Sequence, residues 1–325
     1  MVRIRILLLA IGFIFLASGG ALAQEKYPSR PIELVVPNAP GGSSDITARI
    51  YSEELSKILK TPITVVNRGG GAGVHGTTYV AKAKKDGYTL LNTASTPIIT
   101  VPIINKEVTY DPLKDLTILA QFAIVPPVIT VKSDDSRFQT LKDVIEYARK
   151  NPGKLKNAVG GHGTESHFVM EILCAKNNVK ITTIPYKSGG EAMPQILGGH
   201  VDLSTNSLPT QAAHIKAGKL RALAIAARNR VPEFPNIPTV TELGYPDANL
   251  VMWVGIFGPA GLPQSVLDVL TPALEKAFKN PTVIRRATDA SVIVEYLGPE
   301  EFRKLIESKI QIVTKVAKDA NLAKK

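Results

Sequence analysis

Cysteine is nearly absent from this chain. Cys174 stands alone, so no intramolecular disulfide forms and the protein must hold by packing. Cys174 falls in the apolar run 168–175 and reads as a buried, inert thiol. Long hydrophobic runs are also scarce. The single one, residues 6–17, is shorter than the ~20 apolar residues that span a bilayer. No basic run exceeds two residues, and no aromatics interleave with the dispersed lysines, which removes the signature of a nucleic-acid surface. No G-x-S-x-G elbow of an α/β hydrolase is present.

What is present at the N-terminus reads as an export signal. Arg3 and Arg5 precede the apolar run, and Ala21-Leu22-Ala23 is a small-x-small cleavage site. Cleavage after Ala23 predicts a periplasmic mature chain of about 300 residues, room for two domains. Removing Arg3 and Arg5 takes the net charge from +11 to +9, since residues 1–23 hold no acid. That excess reads as a solvated basic surface with mild attraction for anions.

Along the chain, strand and helix patterns alternate. Strands are expected at 32–36, 63–66 and 88–93, with helices at 46–60 and 77–84. A second cycle follows Val125-Pro126-Pro127, with strands at 128–131, 157–159, 181–185, 201–204 and 222–226 and helices between them. After an extended stretch at 251–259 the chain is mainly helical, at 264–279, 283–290 and 299–320. The terminal helices are expected to return to the first domain and cover its sheet. The division is therefore a signal peptide at 1–23, a first domain of 24–126 and 255–325, and a second of 127–254. Two crossings make a hinge, and the cleft between the lobes is the default ligand site. Met252 and Trp253, at the second crossing, read as core or hinge packing.

The most telling stretch is Pro37-Asn38-Ala39-Pro40-Gly41-Gly42-Ser43-Ser44-Asp45, between a strand and a helix. A helix start has unpaired N–H groups and a partial positive charge, so it holds an anion without a basic side chain. Pro40 offers no N–H, leaving Ala39 and residues from Gly41 onward as donors. Ser43 or Ser44 would cap the helix. A second copy runs through Val159-Gly160-Gly161-His162-Gly163-Thr164-Glu165-Ser166-His167. Two such loops suggest two jaws on a small carboxylate, with His167 as a further donor and Asn206 and Ser207 facing the cleft. Glu165 cuts against this: pointing inward, it would repel an anion or pair with a cationic ligand group.

Other readings of the same residues stay open. Ser166, His167 and Asp202 permit hydrolytic chemistry, although adjacent Ser and His do not normally face one another. His162 and His167, at i, i+5, share no helix face, so no metal is expected. Gly71-Ala72-Gly73-Val74-His75-Gly76 matches G-x-G-x-x-G, but the next strand ends without an acid for a ribose, so a glycine loop at the cleft rim is expected and no cofactor.

These motifs together resemble the Bug (TctC-like) periplasmic solute receptors of tripartite tricarboxylate transporters. The resemblance rests on Tyr27-Pro28-Ser29-Arg30-Pro31-Ile32, Val36-Pro37 leading to Gly41-Gly42-Ser43-Ser44-Asp45, and Asn67-Arg68 with Gly71-Ala72-Gly73. It continues through Asp86-Gly87-Tyr88-Thr89-Leu90-Leu91, Tyr110-Asp111-Pro112-Leu113-Lys114-Asp115, Pro185-Tyr186-Lys187, Leu197-Gly198-Gly199-His200-Val201-Asp202, Pro238-Thr239-Val240 and Gly258-Pro259-Ala260-Gly261. It implies an α/β fold of the two-lobed, type II-like periplasmic binding protein, each lobe a mostly parallel sheet flanked by helices. It implies a non-enzymatic, monomeric receptor for a small organic di- or tricarboxylate, with membrane transporter subunits as transient partners and no nucleic acid. Some similar chains are sensors that contact a kinase. The carboxylate would be pinched by Asn38, Ala39, Gly41, Gly42, Ser43 and Ser44 from one side and Gly163, Thr164, Ser166 and His167 from the other. Thr93, Ser95, Asn206 and Ser207 would meet the far end of the ligand, and Asp202 completes the candidate set. Asn38, His162 and Glu165 depart from the family's habit of an aromatic at the first position and small or neutral residues at the other two.

Overall fold

Apolar residues alternate along β1 (Ile32–Val36), and the structure shows why. Ile32, Leu34 and Val36 join one core, while Val35 joins another on the opposite face. The same split separates Leu90 from Leu91 on β3 (Thr89–Ala94). A sheet with both faces buried needs this two-sided pattern. The computed structural model describes residues 26–319. The expected signal segment and its cleavage site after Ala23 lie outside the described residues.

The first sheet also contains β2 (Ile63–Asn67), β4 (Leu116–Val125), β10 (Met252–Pro259) and β11 (Ile293–Leu297), in the order β11-β4-β10-β3-β1-β2. The second contains β5 (Pro127–Lys132), β6 (Lys156–Val159), β7 (Thr182–Pro185), β8 (Leu203–Ser207) and β9 (Leu220–Ile225), in the order β7-β6-β8-β5-β9. The chain crosses between sheets at Pro126 and again between β9 and β10.

The sheets are mixed, which corrects the expectation of mostly parallel ones. β1 pairs in parallel with β2 and β3, but β10 runs antiparallel to both β3 and β4, and β11 antiparallel to β4. In the second sheet β6 is parallel to β7 and β8, while β5 is antiparallel to β8 and β9. The crossings are the cause. β4 leads out of the first lobe and β10 leads back, so they must run oppositely, and β5 enters the second lobe against the strands that return toward the cleft. The strand β4 is also absent from the pattern reading. Its near-continuous apolar run is buried on both faces and carries no alternation to betray it.

Helices cover both faces of each sheet. On the first, helix Ser43–Leu59 packs with Gln264–Phe278 and Pro281–Asp289, and Tyr51, Phe122 and Phe278 meet with ring centroids 4.7–5.1 Å apart. The other face takes Phe302 and Ile306 of helix Pro299–Asp319, with Trp253 edge-on to Phe302 at 4.8 Å. The helices of the last third of the chain thus pack on the first sheet. Cys174 is buried in the core of the second lobe.

Candidate functional site

The two glycine turns follow the C-terminal ends of β1 and β6, parallel strands whose following loops gather at one edge of an α/β sheet. Helix Ser43–Leu59 opens at the N-cap Gly42, which is extended and has no side-chain cap. Neither Ser43 nor Ser44 is the cap. They are the first two helical residues, and helical geometry leaves their N–H groups without i−4 acceptors. The third, Asp45, reaches back: its carboxylate accepts the Gly41 N–H at 3.0 Å, the Asn67 amide at 3.0 Å and Arg49 Nε at 3.1 Å. Burial raises the Asp45 carboxyl, but the bonds from Arg49, Gly41 and Asn67 outweigh it and hold the carboxyl below the ordinary aspartate range.

The second turn repeats this device with different residues. Thr164 is the N-cap of helix Glu165–Asn177, its hydroxyl accepting the His167 N–H at 3.2 Å. His167, again third in its helix, accepts the N–H of Gly163 on Nδ1 at 3.0 Å. That bond leaves the proton on Nε2, which faces Glu171 Oε1 at 3.5 Å. In both loops the side chain at the third helical position satisfies the N–H just before the cap. The inner turns are thereby fixed. Of the first helical residues, Ser43, Ser44 and Ser166 keep N–H groups outside the helical ladder, while the Glu165 N–H serves its own carboxyl.

The first helix is seated from below by a buried polar network. Asn92 accepts from Tyr51 Oη at 2.8 Å and donates to the Ser44 carbonyl at 2.6 Å and to Thr47 Oγ1 at 3.2 Å. Ser44 Oγ accepts the Ala94 N–H at 3.1 Å. In the second lobe Asn206 donates to the Ala158 carbonyl and to Ser204 Oγ, tying β8 to β6 beside the turn. Such satisfied buried networks rigidify what they hold.

Between the two helix starts lies a cavity of about 980 Å³. Of the expected site residues, Asn38, Ala39, Gly42, Ser43, Ser44, Thr164, Ser166, Asn206 and Ser207 line it. Ser43 and Ser166 bring hydroxyls that have no protein partner among the described residues. The other expected residues are placed differently. Gly41 and Gly163 spend their N–H groups on Asp45 and His167. His167 has both ring nitrogens turned to its own loop and helix. Thr93 is fully buried, donating to the adjacent Ala94 carbonyl. Ser95 donates to Glu165. Asp202 pairs with Arg137 at 2.8 Å and accepts the Lys156 N–H at 3.0 Å, away from the cavity. The hydrolytic set of Ser166, His167 and Asp202 is therefore not assembled.

Several lining residues escaped sequence reasoning. Residues 69–73 form the rim loop expected there, but Thr96 and Ile104 carried no signal, and Tyr186 and Lys187 entered only as part of a family motif. Ser188 and Gly189 did carry one, since Ser188 caps helix Gly189–Leu197 through the Glu191 N–H after a strand, the same arrangement a third time. The lobes touch around the cavity. Ser188 Oγ donates to the Pro40 carbonyl at 3.3 Å, and Gly190 lies against the Gly41 backbone.

Two lobes joined by two crossings, with opposed helix N-termini across a shared cavity, define a periplasmic solute-binding protein. Residues 47–322 match the tripartite tricarboxylate transporter family receptor (TctC). The chain belongs to this family, whose members are receptors and not enzymes. It is 33% identical to protein BugT of Bordetella pertussis over 308 residues, 94% of each chain. The fold is similar to that of periplasmic binding protein BugD, with a TM-score of 0.86 and 32% identity over 92% of this chain and all of that one. Two Rhodopseudomonas palustris proteins are also similar at 28% identity. One, solved with adipate, has a TM-score of 0.87 over 91% of this chain and 99% of its own. The other, MatC with bound malate, has 0.83 over 89% and 99%. No helix among the described residues is long and apolar enough to cross a membrane.

Proposed function

We propose that this protein is an extracytoplasmic receptor that captures a small di- or tricarboxylate in its cleft and delivers it to membrane transporter subunits. The observation that carries this reading is the pair of opposed helix starts, at Ser43-Ser44 and at Glu165-Ser166, with their inner N–H groups already satisfied by Asp45 and His167. Each helix start contributes about half a positive charge. A carboxylate between them receives backbone donors from both lobes and hydroxyl donors from Ser43 and Ser166, so its binding favours closure through contacts that only the closed state makes. The relatives solved with adipate and malate support a dicarboxylate.

The test is a pair of variants at Ser43. This residue is the first of its helix, where proline is tolerated, and Gly42 before it has φ −81° and ψ 166°, compatible with a following proline. Ser43→Ala removes the hydroxyl alone, whereas Ser43→Pro removes the backbone donor too. A thermal-shift panel of mono-, di- and tricarboxylates first identifies the ligand, and titration calorimetry then compares the variants. Ser43→Pro is expected to weaken binding about tenfold more than Ser43→Ala, the worth of one charge-assisted hydrogen bond. Equal affinities in two folded variants would refute the pinch, and a panel in which only amino acids or cations bind would refute the carboxylate.

A further inference from the structure

Glu165 is the first residue of its helix, the position that Ser43 holds in the opposing one. Its side chain does not line the cavity. It crosses to the other lobe, where both carboxylate oxygens accept hydroxyl hydrogen bonds, one from Ser95 and one from Thr96 at 2.8 Å. The two hydroxyls are held in place. Ser95 and Thr96 directly follow β3 and are 2% and 4% exposed. The Ser95 N–H is bonded to the Trp253 carbonyl at 3.0 Å, and the Ser95 carbonyl accepts from Ile98 and Ile99. Thr96 also lines the cavity, as do Thr164 and Ser166 on either side of Glu165. The bridge therefore runs alongside the ligand space and joins the same two walls.

The bridge has a purpose in that place. Two helix N-termini facing each other across an empty cleft repel, since each carries partial positive charge. Two hydrogen bonds to Glu165 across the cleft offset that repulsion before any ligand arrives. Burial pushes the Glu165 carboxyl above the ordinary glutamate range, outweighing the opposing pull of the Ser95 hydroxyl, its own backbone N–H, the Thr96 hydroxyl and the charge of Lys309.

We propose that Glu165 is a positioning residue for solute capture: a cross-cleft latch to Ser95 and Thr96 that holds the second helix start at the separation where both reach one ligand carboxylate. The role in affinity rests on the receptor reading, but the latch itself does not.

The test has two arms. In the first, small-angle X-ray scattering is recorded on the ligand-free protein and on Glu165→Ala, Glu165→Gln, the Ser95→Ala/Thr96→Val pair, and the combination of that pair with Glu165→Ala. Glu165→Ala and the hydroxyl pair should each raise the radius of gyration by the same amount, and combining them should add nothing further. Glu165→Gln keeps the span and one acceptor, so it should fall between wild type and alanine. In the second arm, adipate is the carboxylate probe. Glu165→Ala should release it about tenfold faster, as expected for two lost hydrogen bonds, and Glu165→Gln should restore part of that loss. Identical radii across all variants, or additive effects of the two halves of the bridge, would overturn the latch. If adipate binds no variant, including wild type, the scattering still decides the latch and the failure falls on the proposed ligand class.

Discussion

A single methyl group placed at Gly190 is predicted to separate folding from ligand capture. Gly190 lies in the first turn of helix Gly189–Leu197, in the second lobe. A Cβ built there would lie 3.1 Å from Cα, C and O of Gly41, in the first lobe. Contacts at that distance to backbone atoms are too tight by a few tenths of an ångström, and backbone does not swing away as a side-chain tip does. Within its own helix, alanine is more favourable than glycine by up to about 1 kcal/mol. Each lobe of Gly190→Ala should therefore fold as well as wild type or slightly better. The closed state alone carries the overlap, which costs about 1–3 kcal/mol in a packed contact. That penalty raises the dissociation constant about 5–150-fold. The assay is calorimetric titration with the carboxylate chosen by thermal shift, beside a melting curve without ligand. The expected result is a weakened affinity with an unchanged or raised ligand-free midpoint. Unchanged affinity would refute the reasoning, because it would mean that binding does not need Gly41 and Gly190 in contact. A fall in both quantities would refute it as well, since the methyl would then disturb the lobe itself.

Two further predictions concern groups outside the cavity. The Asp45 carboxyl is lower in the folded protein than in the unfolded chain, so its contribution is present above the unfolded aspartate value, about 4. It is lost as pH falls through the lower folded value. Wild type should exceed Asp45→Asn in stability by about 1–3 kcal/mol above pH ~5, chiefly through the Gly41 and Asn67 bonds because Arg49 is solvent-screened, and the gap should shrink in acid; a gap independent of pH from 3 to 7 in melting curves would contradict this. Burial pushes the Cys174 thiol up to about 11. A thiol reagent at neutral pH should therefore label Cys174 only after unfolding, and rapid labelling of the native protein would show the second-lobe core to be open.

The receptor class was legible because its marks are local. A strand, a glycine turn and a helix start occupy some ten adjacent residues, and the chain spells that unit at Pro37–Ser44, at Gly160–Ser166 and, less visibly, at Pro185–Gly190. The short apolar run Ile32–Val36 likewise needs only neighbouring residues to read. The motif resemblance that pointed to the TctC family is also a property of the linear chain, and the family match bears it out. Local order alone equally permits some roles that geometry removes. Asp202 sits in a family motif but pairs with Arg137, and His167 looks like a ligand donor until the Gly163 N–H is found on its Nδ1.

What tertiary structure alone decided are the relations between segments far apart in the chain. Strand direction is one: β10 is antiparallel because the chain returns from the other lobe there, and no window of sequence records that return. The seat of the first helix is another, since Asn92 meets Ser44 and Tyr51 only when β3 lies beneath that helix. Glu165 is the clearest case. In sequence it is an acid at an anion-binding helix start, a contradiction. In the folded molecule its carboxyl group is taken up by Ser95 and Thr96 of the opposite lobe, 70 and 69 residues away along the chain, and the acid that looked like an obstacle to the ligand becomes part of what holds the cleft together.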